Sequence, residues 1–590
     1  MADKSLSRVA ANLDNTTWDH KWGFADTKML IKEDRSVFMT GNRYALSGFD
    51  MPELLPFIEK TLGITIDLHD IKAERPEKPV PPPIKHERFC RALARVFPES
   101  HYTFDPRERL LHSHGQTTAE EVYKVLYSRL ERVADMVFFC ESQDDAVKLV
   151  ALAREHNVCL VPYGGGTSVS CALKLPVNER RMIVSIDMRR MNKIEWIDRE
   201  NFRACVQAGI TGSDLEAQLE REGFTSGHEP DSLELSTLGG WVATNASGMK
   251  KNRYGNIEDI VENVTMITPQ GIVEQVDAMP RLAMGIQPQQ LLFGSEGTLG
   301  LITKAVIKIH KLPQTKKYGS IVFPNFKRGV DCLYELRRAN IIPASIRLLD
   351  NIQFRFGMVL KPRPTSKDAL ISKLQKFYLS SVKHFDFNEM VGATIVMEGT
   401  AEEVAYQEKN IYRIAKKYGG LPGGEHNGKR GYMLTYAIAY IRDFLAAYHI
   451  TGETYETTVP WNKIHEVCDA VAQRGRELHE AYGLPGRPYI SPRVTQLYHT
   501  GVCIYFTHGF STQGVAAPDE ILSKIDHTLR ETIMEHGGSI SHHHGVGKLR
   551  KDFLSKTISP ASICLLQDVK RVSDPQNIFG IRNNVFADGE

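Results

Sequence analysis

From about residue 130 the chain alternates short apolar runs with glycine. Met136-Val137-Phe138-Phe139-Cys140 reads as a buried strand, and Ser142 to Glu155 as a helix carrying Asp144 and Asp145 in its first turn. Val158 to Pro162 is a second strand that runs into Gly164-Gly165-Gly166, and Met182 to Ile186 and Ala204 to Ala208 follow as strands. After Pro313 the pattern predicts a strand over Tyr318 to Phe323, a helix over Phe326 to Ala339 and a strand over Ala344 to Leu349. A helical tract from Glu402 to Ala447 is broken by Gly419-Gly420 and Gly423-Gly424, and strands alternate with helices from Arg493 onward. The first seventy residues hold short amphipathic stretches with Trp18 and Trp22. A strap from Arg75 to Pro83 follows, where proline forbids helix and central strand. The whole reads as α+β.

Composition narrows the class. A chain of 590 residues exceeds one hydrophobic core, which predicts two or three domains. Lys plus Arg number 73 against 71 Asp plus Glu, so bulk charge excludes a nucleic-acid partner held by net charge. Nine cysteines lie singly with no CxxC pair, which predicts free thiols in a reducing compartment and argues against structural zinc. Met1-Ala2-Asp3-Lys4 opens no apolar secretory stretch. The longest apolar tract, Tyr436 to Ile450, is interrupted by Arg442 and Asp443, so no membrane span is expected.

The glycine loops carry the first chemistry. Pro162-Tyr163-Gly164-Gly165-Gly166-Thr167-Ser168 follows a strand directly. Consecutive glycines let several N–H groups face one concave side, which suits a diphosphate, although a tight turn reads equally well from this loop alone. It is neither a GxGxxG fingerprint nor a P-loop. Three similar loops follow: Pro230-Asp231-Ser232-Leu233-Glu234-Leu235-Ser236 with Thr237-Leu238-Gly239-Gly240, then Thr244-Asn245-Ala246-Ser247-Gly248, then Gly294-Ser295-Glu296-Gly297-Thr298-Leu299-Gly300-Leu301-Ile302. In this order they resemble the FAD-binding domain of the vanillyl-alcohol oxidase type. That resemblance implies FAD held by these loops, with the isoalloxazine between the FAD domain and a cap domain. Many members tether FAD through a histidine in the first glycine loop. This loop has none, so non-covalent FAD is expected. The division implied is an N-terminal helical region with the proline strap (1–88), the FAD domain (89–312), a cap or substrate domain (313–535) and a C-terminal segment returning to the FAD domain (536–590).

Further stretches narrow the resemblance. Gly227-His228-Glu229-Pro230-Asp231-Ser232, Met249 to Asp259, Ala344 to Leu348, Ala439 to Asp443 and Ser541-His542-His543-His544-Gly545-Val546-Gly547-Lys548-Leu549-Arg550-Lys551 are similar to the alkylglycerone-phosphate synthase family. Likeness extends from about Trp18 to Asn584.

Three adjacent imidazoles can supply acid, base and donors near neutrality. On an extended segment His542 and His544 would share one face and His543 the other. A metal is disfavoured because no Cys, Asp or Glu lies between Glu535 and Asp552. Tyr505, in Cys503-Ile504-Tyr505-Phe506, reads as core on pattern alone. Arg442 has Asp443 as a ready partner, and Arg347 has Asp350. The family resemblance assigns proton transfer to Tyr505 and to a histidine among His542, His543 and His544. It places Arg347 near the flavin or its substrate and gives Arg442 the substrate phosphate. The implied reaction replaces the acyl chain of acyl-dihydroxyacetone phosphate by a long-chain fatty alcohol. The flavin would hold the substrate carbon covalently between the two steps and finish oxidised. Peroxisomal residence, a homodimer and peripheral membrane contact come with the resemblance, although Phe586 to Glu590 is no SKL-type signal. An FAD-dependent 2-hydroxyacid dehydrogenase is the alternative, and a silent flavoprotein scaffold a more distant one. Dehydrogenases carry two histidines around a Gly-Asp-Gly-Asn core where this chain has only His499 before Gly501.

Overall fold

The computed structural model describes residues 16–18, 21–74, 80–362 and 378–586. A four-stranded sheet runs Tyr102–Thr103, Met136–Phe139, Ile183–Asp187 and Cys159–Tyr163. Its last three strands are parallel. Parallel strands are covered on both faces, which is why they read as unbroken apolar runs. The helix Gln143–His156 connects two of them. Ser142 caps it by accepting the Asp145 N–H, and Asn157 ends it in the left-handed conformation. A five-stranded antiparallel sheet lies alongside, in the order Gly271–Val273, Val261–Thr268, Leu301–Lys308, Arg203–Gln207 and Ile194–Asp198. The end of the chain rejoins the four-stranded sheet: Leu160 N–H donates to the Ile578 carbonyl, and Phe579 is buried with Phe138 and Leu160.

The second half is built on a seven-stranded antiparallel sheet. Its order is Leu421–Pro422, Thr315–Phe323, Val391–Gly399, Ser345–Leu349, Tyr489–Leu497, Gly501–Ser511 and Ile450–Pro460. Side chains alternate between its faces. Ile346, Leu348, Tyr455, Val494, Ile504 and Phe506 pack into one core with the helices Phe326–Arg338, Ala401–Lys417, Ile464–Ala481 and Pro518–Glu535. Their chain neighbours Arg347, Glu456, Arg493 and Tyr505 therefore turn to the other face, toward the glycine loops. Two pairings fix the row: Glu456 opposes Tyr505 across one strand boundary, and Arg493 opposes it across the next. Cross-strand partners share a face, so three strands place Arg493, Tyr505 and Glu456 side by side.

The N-terminal extension is less helical than its sequence suggests. It pairs Met29–Ile31 with Val37–Met39 and Asp50–Met51 in a small sheet before the helix Leu54–Leu62. Strands of two and three residues are too short for an alternation to register. The extension grips the helix Ile438–Ala446: Trp22 N–H donates to Asp443 Oδ2 (3.2 Å), Phe24 N–H to the Tyr440 hydroxyl (2.8 Å), and the Tyr44 hydroxyl lies 3.1 Å from that of Tyr440. Part of the proline strap, 75–79, lies outside the described residues, as does 587–590.

Candidate active site

The glycine loops converge on one cavity of about 1430 Å³, larger than the roughly 300–1,000 Å³ usual for a small ligand. The loop Gly164–Ser168 meets the segment before the helix Leu238–Thr244 so closely that no side chain fits between them. A Cβ on Gly165 would stand 1.8 Å from the Leu235 carbonyl oxygen, and one on Gly164 would stand 2.5 Å from Thr237 Oγ1. Gly166 has φ +69°, a conformation that favours glycine. Pro162, Tyr163, Thr167, Ser168, Pro230, Asp231, Ser232, Ser236, Thr244, Ala246, Ser247, Glu296, Gly297, Gly300, Leu301 and Ile302 all line the cavity. Six other residues expected there do not. Leu233 and Leu299 are in the core, Glu234 accepts from the Tyr44 hydroxyl, Asn245 is a left-handed helix cap, Thr298 bonds the Ser295 carbonyl, and the Leu235 carbonyl packs against Gly165 of the loop. Thr117 Oγ1 and Ser295 Oγ are buried at this wall without a partner, donors and acceptors that a polar ligand would satisfy. The close backbone and these free hydroxyls suit FAD, and no histidine in the first loop offers a tether.

On the opposite wall stands the row built by the sheet. The Tyr505 hydroxyl lies 2.7 Å from His544 Nε2, and His544 Nδ1 lies 3.6 Å from Glu456 Oε1. Glu456 is fully buried. It accepts the backbone N–H groups of His542, His543 (3.2 Å) and His544 (2.9 Å) and the Ser541 hydroxyl (2.7 Å). Curling three successive N–H groups around one carboxylate bends the segment, so the alternate facing expected of the histidines does not occur. His543 and His544 both line the cavity, while His542 Nε2 turns to the Tyr498 hydroxyl at 2.5 Å. Burial opposes the Glu456 charge. The Arg550 guanidinium and the four N–H and O–H donors around it favour the carboxylate form. Burial pushes the His544 imidazole well below its ordinary range despite Glu456, so the ring is neutral at pH 7.

The fold also supplies the acidic and thiol groups missing from the histidine segment. Glu456, Cys503, His542 and His543 each place a ligand atom within 4.8 Å of the others. Both Glu456 oxygens are already occupied by four N–H or O–H donors, and the two histidine Nδ1 atoms approach to 2.6 Å, a hydrogen-bonding distance. Glu456 and the two histidines are thus hydrogen-bonded within their own segment, with Cys503 beside them.

Arg347 donates to Asp231 Oδ1 (3.0 Å) and Thr435 Oγ1 (2.7 Å). Asp350, its expected partner, instead caps the helix Asn351–Val359. Arg442 lines the cavity, but Asp443, the Gln116 carbonyl and the Thr117 carbonyl hold its guanidinium. Glu456 and Arg493 escaped the sequence reading of the site, as did His228, which packs behind Trp241 of the cavity wall. His228 is buried against Trp241 (ring centroids 4.6 Å apart), with neither ring nitrogen partnered. Its place in the Gly-His-Glu-Pro-Asp stretch was the available signal. For the other two only strand register brings them here.

Two consequences are measurable. Glu456→Gln turns an NH2 toward backbone N–H groups that need an acceptor. It is expected to cost about 3–5 kcal/mol of stability, read as the urea midpoint, and most of the turnover. A variant as stable and active as the parent would remove Glu456 from the site's framework. Acidification is expected to destabilise the fold below pH 6.5. Burial pushes His228 down to about 3 and His508 to about 4, so the unfolded chain takes up their protons first. Their contribution is full above pH 6.5 and falls by up to about 1.4 kcal/mol per pH unit for each histidine, until the folded values are reached. Urea midpoints at pH 7.5 and pH 5 check this, and equal midpoints would refute it.

Comparison with known proteins agrees with this geometry. Residues 134–277 match the FAD binding domain family and 312–582 the C-terminal domain of FAD linked oxidases. The alkyldihydroxyacetonephosphate synthase of Caenorhabditis elegans is 41% identical over 95% of this chain and 94% of its own length. That of Dictyostelium discoideum is 32% identical over 95% and 92%. A solved alkyldihydroxyacetonephosphate synthase structure superposes with a TM-score of 0.81 at 29% identity, covering 95% of this chain and 98% of that one. A p-cresol methylhydroxylase, at 14% identity and a TM-score of 0.62, shares the fold. With FAD loops, cap sheet and histidine segment all within the matched span, the chain belongs to the alkyldihydroxyacetonephosphate synthase family.

Proposed function

We propose that the chain forms the ether bond of ether lipids, exchanging the acyl chain of acyl-dihydroxyacetone phosphate for a long-chain fatty alcohol. One observation carries this reading. The Tyr505–His544 pair stands in the wall of a cavity that also holds the glycine cradle and an apolar bore of Phe57, Ile58, Phe356, Leu434, Ile438 and Leu445. At one substrate carbon the bond to the acyl carboxylate breaks and a bond to the alcohol oxygen forms. The alcohol's proton leaves with the fatty acid, so no net oxidation occurs.

FAD, when bound, supplies an electrophilic ring system at that carbon and ends oxidised. The chain's residues handle protons and position. Burial raises the Tyr505 phenol, which keeps it a proton donor at pH 7, and neutral His544 accepts its hydrogen bond. His543 presents a ring to the cavity. Burial, with Arg550 and Arg347, pushes its pKa below the ordinary imidazole range although Glu456 and Asp231 oppose this, and the neutral ring can take a proton from the substrate carbon and return it. The apolar bore excludes water and receives both alkyl chains. Peroxisomal residence, a homodimer, supply of plasmalogen precursors and contact of the bore's mouth with a membrane surface belong to the same proposal, supported by the family.

The test uses FAD-loaded protein, palmitoyl-dihydroxyacetone phosphate and labelled hexadecanol, without an electron acceptor. Labelled ether with FAD still oxidised is expected. Bleaching of the flavin by a 2-hydroxy acid, with no ether formed, would replace this reading by that of a dehydrogenase.

A further inference from the structure

His542 turns its ring away from the cavity, yet both of its nitrogens are engaged. Nδ1 lies 2.6 Å from His543 Nδ1, and Nε2 lies 2.5 Å from the Tyr498 hydroxyl. The three rings therefore form one hydrogen-bonded chain. At its inner end His543 lines the cavity, with Nδ1 taken by His542 and Nε2 left for a ligand. At its outer end Tyr498 is half-buried and is followed by the exposed His499. The Tyr498 hydroxyl lies 3.4 Å from Asn256 Nδ2, and that amide donates to the carboxylate of exposed Glu258 at 3.2 Å. The Lys251 ammonium donates to the Leu497 carbonyl at 2.9 Å and stands 3.3 Å over the Tyr498 ring, which holds the ring in place. Tyr505 and His544 have no such exit. Both are buried, and His544 Nδ1 has no hydrogen-bond partner.

Two Nδ1 atoms bond only if one of them carries the hydrogen. With that hydrogen on His543 and the His542 hydrogen on Nε2, each ring donates outward. The lone pair of His543 Nε2 is then left to the cavity. An imidazole can accept a proton on one nitrogen while it releases one from the other.

We propose that His542 and Tyr498 are the route by which the proton taken up at His543 leaves for solvent. His543 Nε2 takes the proton from the carbon that bears the acyl group, and its Nδ1 hydrogen passes to His542 Nδ1. The His542 Nε2 hydrogen passes to the Tyr498 oxygen, and the phenol's own hydrogen goes to water. Each ring ends neutral with its hydrogen on the opposite side, and the reverse steps return a proton of solvent origin. His542 and Tyr498 act through His543 rather than on the substrate. Proton uptake at His543 rests on the ether-synthase reading, whereas the chain of rings to the surface rests on the geometry alone.

The test runs FAD-loaded wild type, Tyr498→Phe and His542→Gln in deuterium oxide with palmitoyl-dihydroxyacetone phosphate and hexadecanol. Mass spectrometry reads the deuterium at the ether-bearing carbon per ether molecule formed, above an enzyme-free blank. Wild type is expected to incorporate solvent deuterium. Each variant is expected to incorporate at least about tenfold less per ether, because a phenyl ring or an amide cannot pass a proton on. The ratio is normalised to product, so a variant that is merely damaged slows ether formation and keeps the wild-type ratio, which overturns the proposal. Wild-type ether free of solvent deuterium overturns it too. If Tyr498→Phe does not fold, an unchanged ratio in His542→Gln is the overturning result. A parallel run without hexadecanol reads deuterium in the recovered acyl substrate. Exchange there in wild type, lost in both variants, would uphold the relay even if no ether forms, and would sink the ether-synthase reading alone.

Discussion

Tyr505→Phe is expected to lower turnover by about 10²–10⁴-fold while the protein stays yellow with a full complement of FAD. The substitution removes a single oxygen. The ring remains beneath the Arg493 guanidinium and the strand pairing with Glu456 and Arg493 is untouched, so cradle and cavity keep their shape. What disappears is the hydroxyl 2.7 Å from His544 Nε2, the proton donor that His544 faces across the cavity wall. An imidazole nitrogen is left unpaired in a buried wall, which costs about 1–3 kcal/mol of stability, too little to unfold a domain of this size. Turnover, FAD content and melting temperature measured together separate the outcomes. Retained turnover would take the proton-transfer role from Tyr505. Loss of FAD along with activity would show that the hydroxyl serves the fold. His543→Ala is expected to behave alike, since its ring lines the cavity and the Glu456 contacts are made by backbone N–H groups.

Gly165→Ala is expected to abolish FAD binding outright. The added methyl would sit 1.8 Å from the Leu235 carbonyl oxygen and 3.0 Å from Ser236 Cα. Both are backbone atoms, which cannot swing aside as a flexible side chain would. The two loops must part, and the concave row of N–H groups opens with them. Gly357→Ala is the control. It lies in the helix Asn351–Val359 with only Leu434 Cδ1 near, at 3.9 Å, so it should keep FAD and gain up to about 1 kcal/mol of helix stability. Flavin absorbance after gel filtration reads the result. A yellow Gly165→Ala protein would mean that the cradle is looser than its backbone contacts indicate.

The contrast between these two positions shows what one sequence discloses. The cradle was legible because its requirement is local: consecutive glycines at a strand end signal backbone approach wherever the strand finally lies. The histidine segment was legible as chemistry but not as shape. Its alternate facing assumed an extended chain, whereas Glu456, far away in sequence, curls it by accepting three N–H groups. Tyr505 looked like core because its strand is apolar on both sides of it, and indeed Ile504 and Phe506 are core. Glu456 and Arg493 could not be found at all. Their proximity depends on the register of three strands, and a shift of one residue would turn either to the opposite face. Arg442 was legible from its residues as a pair with Asp443, which the fold keeps, while the Gln116 and Thr117 carbonyls that also hold it at the cavity wall come from far away in the chain.

The grip of the N-terminal extension on the helix Ile438–Ala446 has a consequence for how the protein comes into being. Trp22 and its partner Asp443 are separated by 421 positions. At a synthesis rate of roughly 5–20 residues per second, the first segment leaves the ribosome about 20–80 s before the helix it must hold exists. Until then only earlier-made neighbours such as Glu234 and Phe356 are present to meet it, through Tyr44 and Phe57. The extension therefore waits on an element made long after it, and a chain released before residue 438 would carry it without that partner.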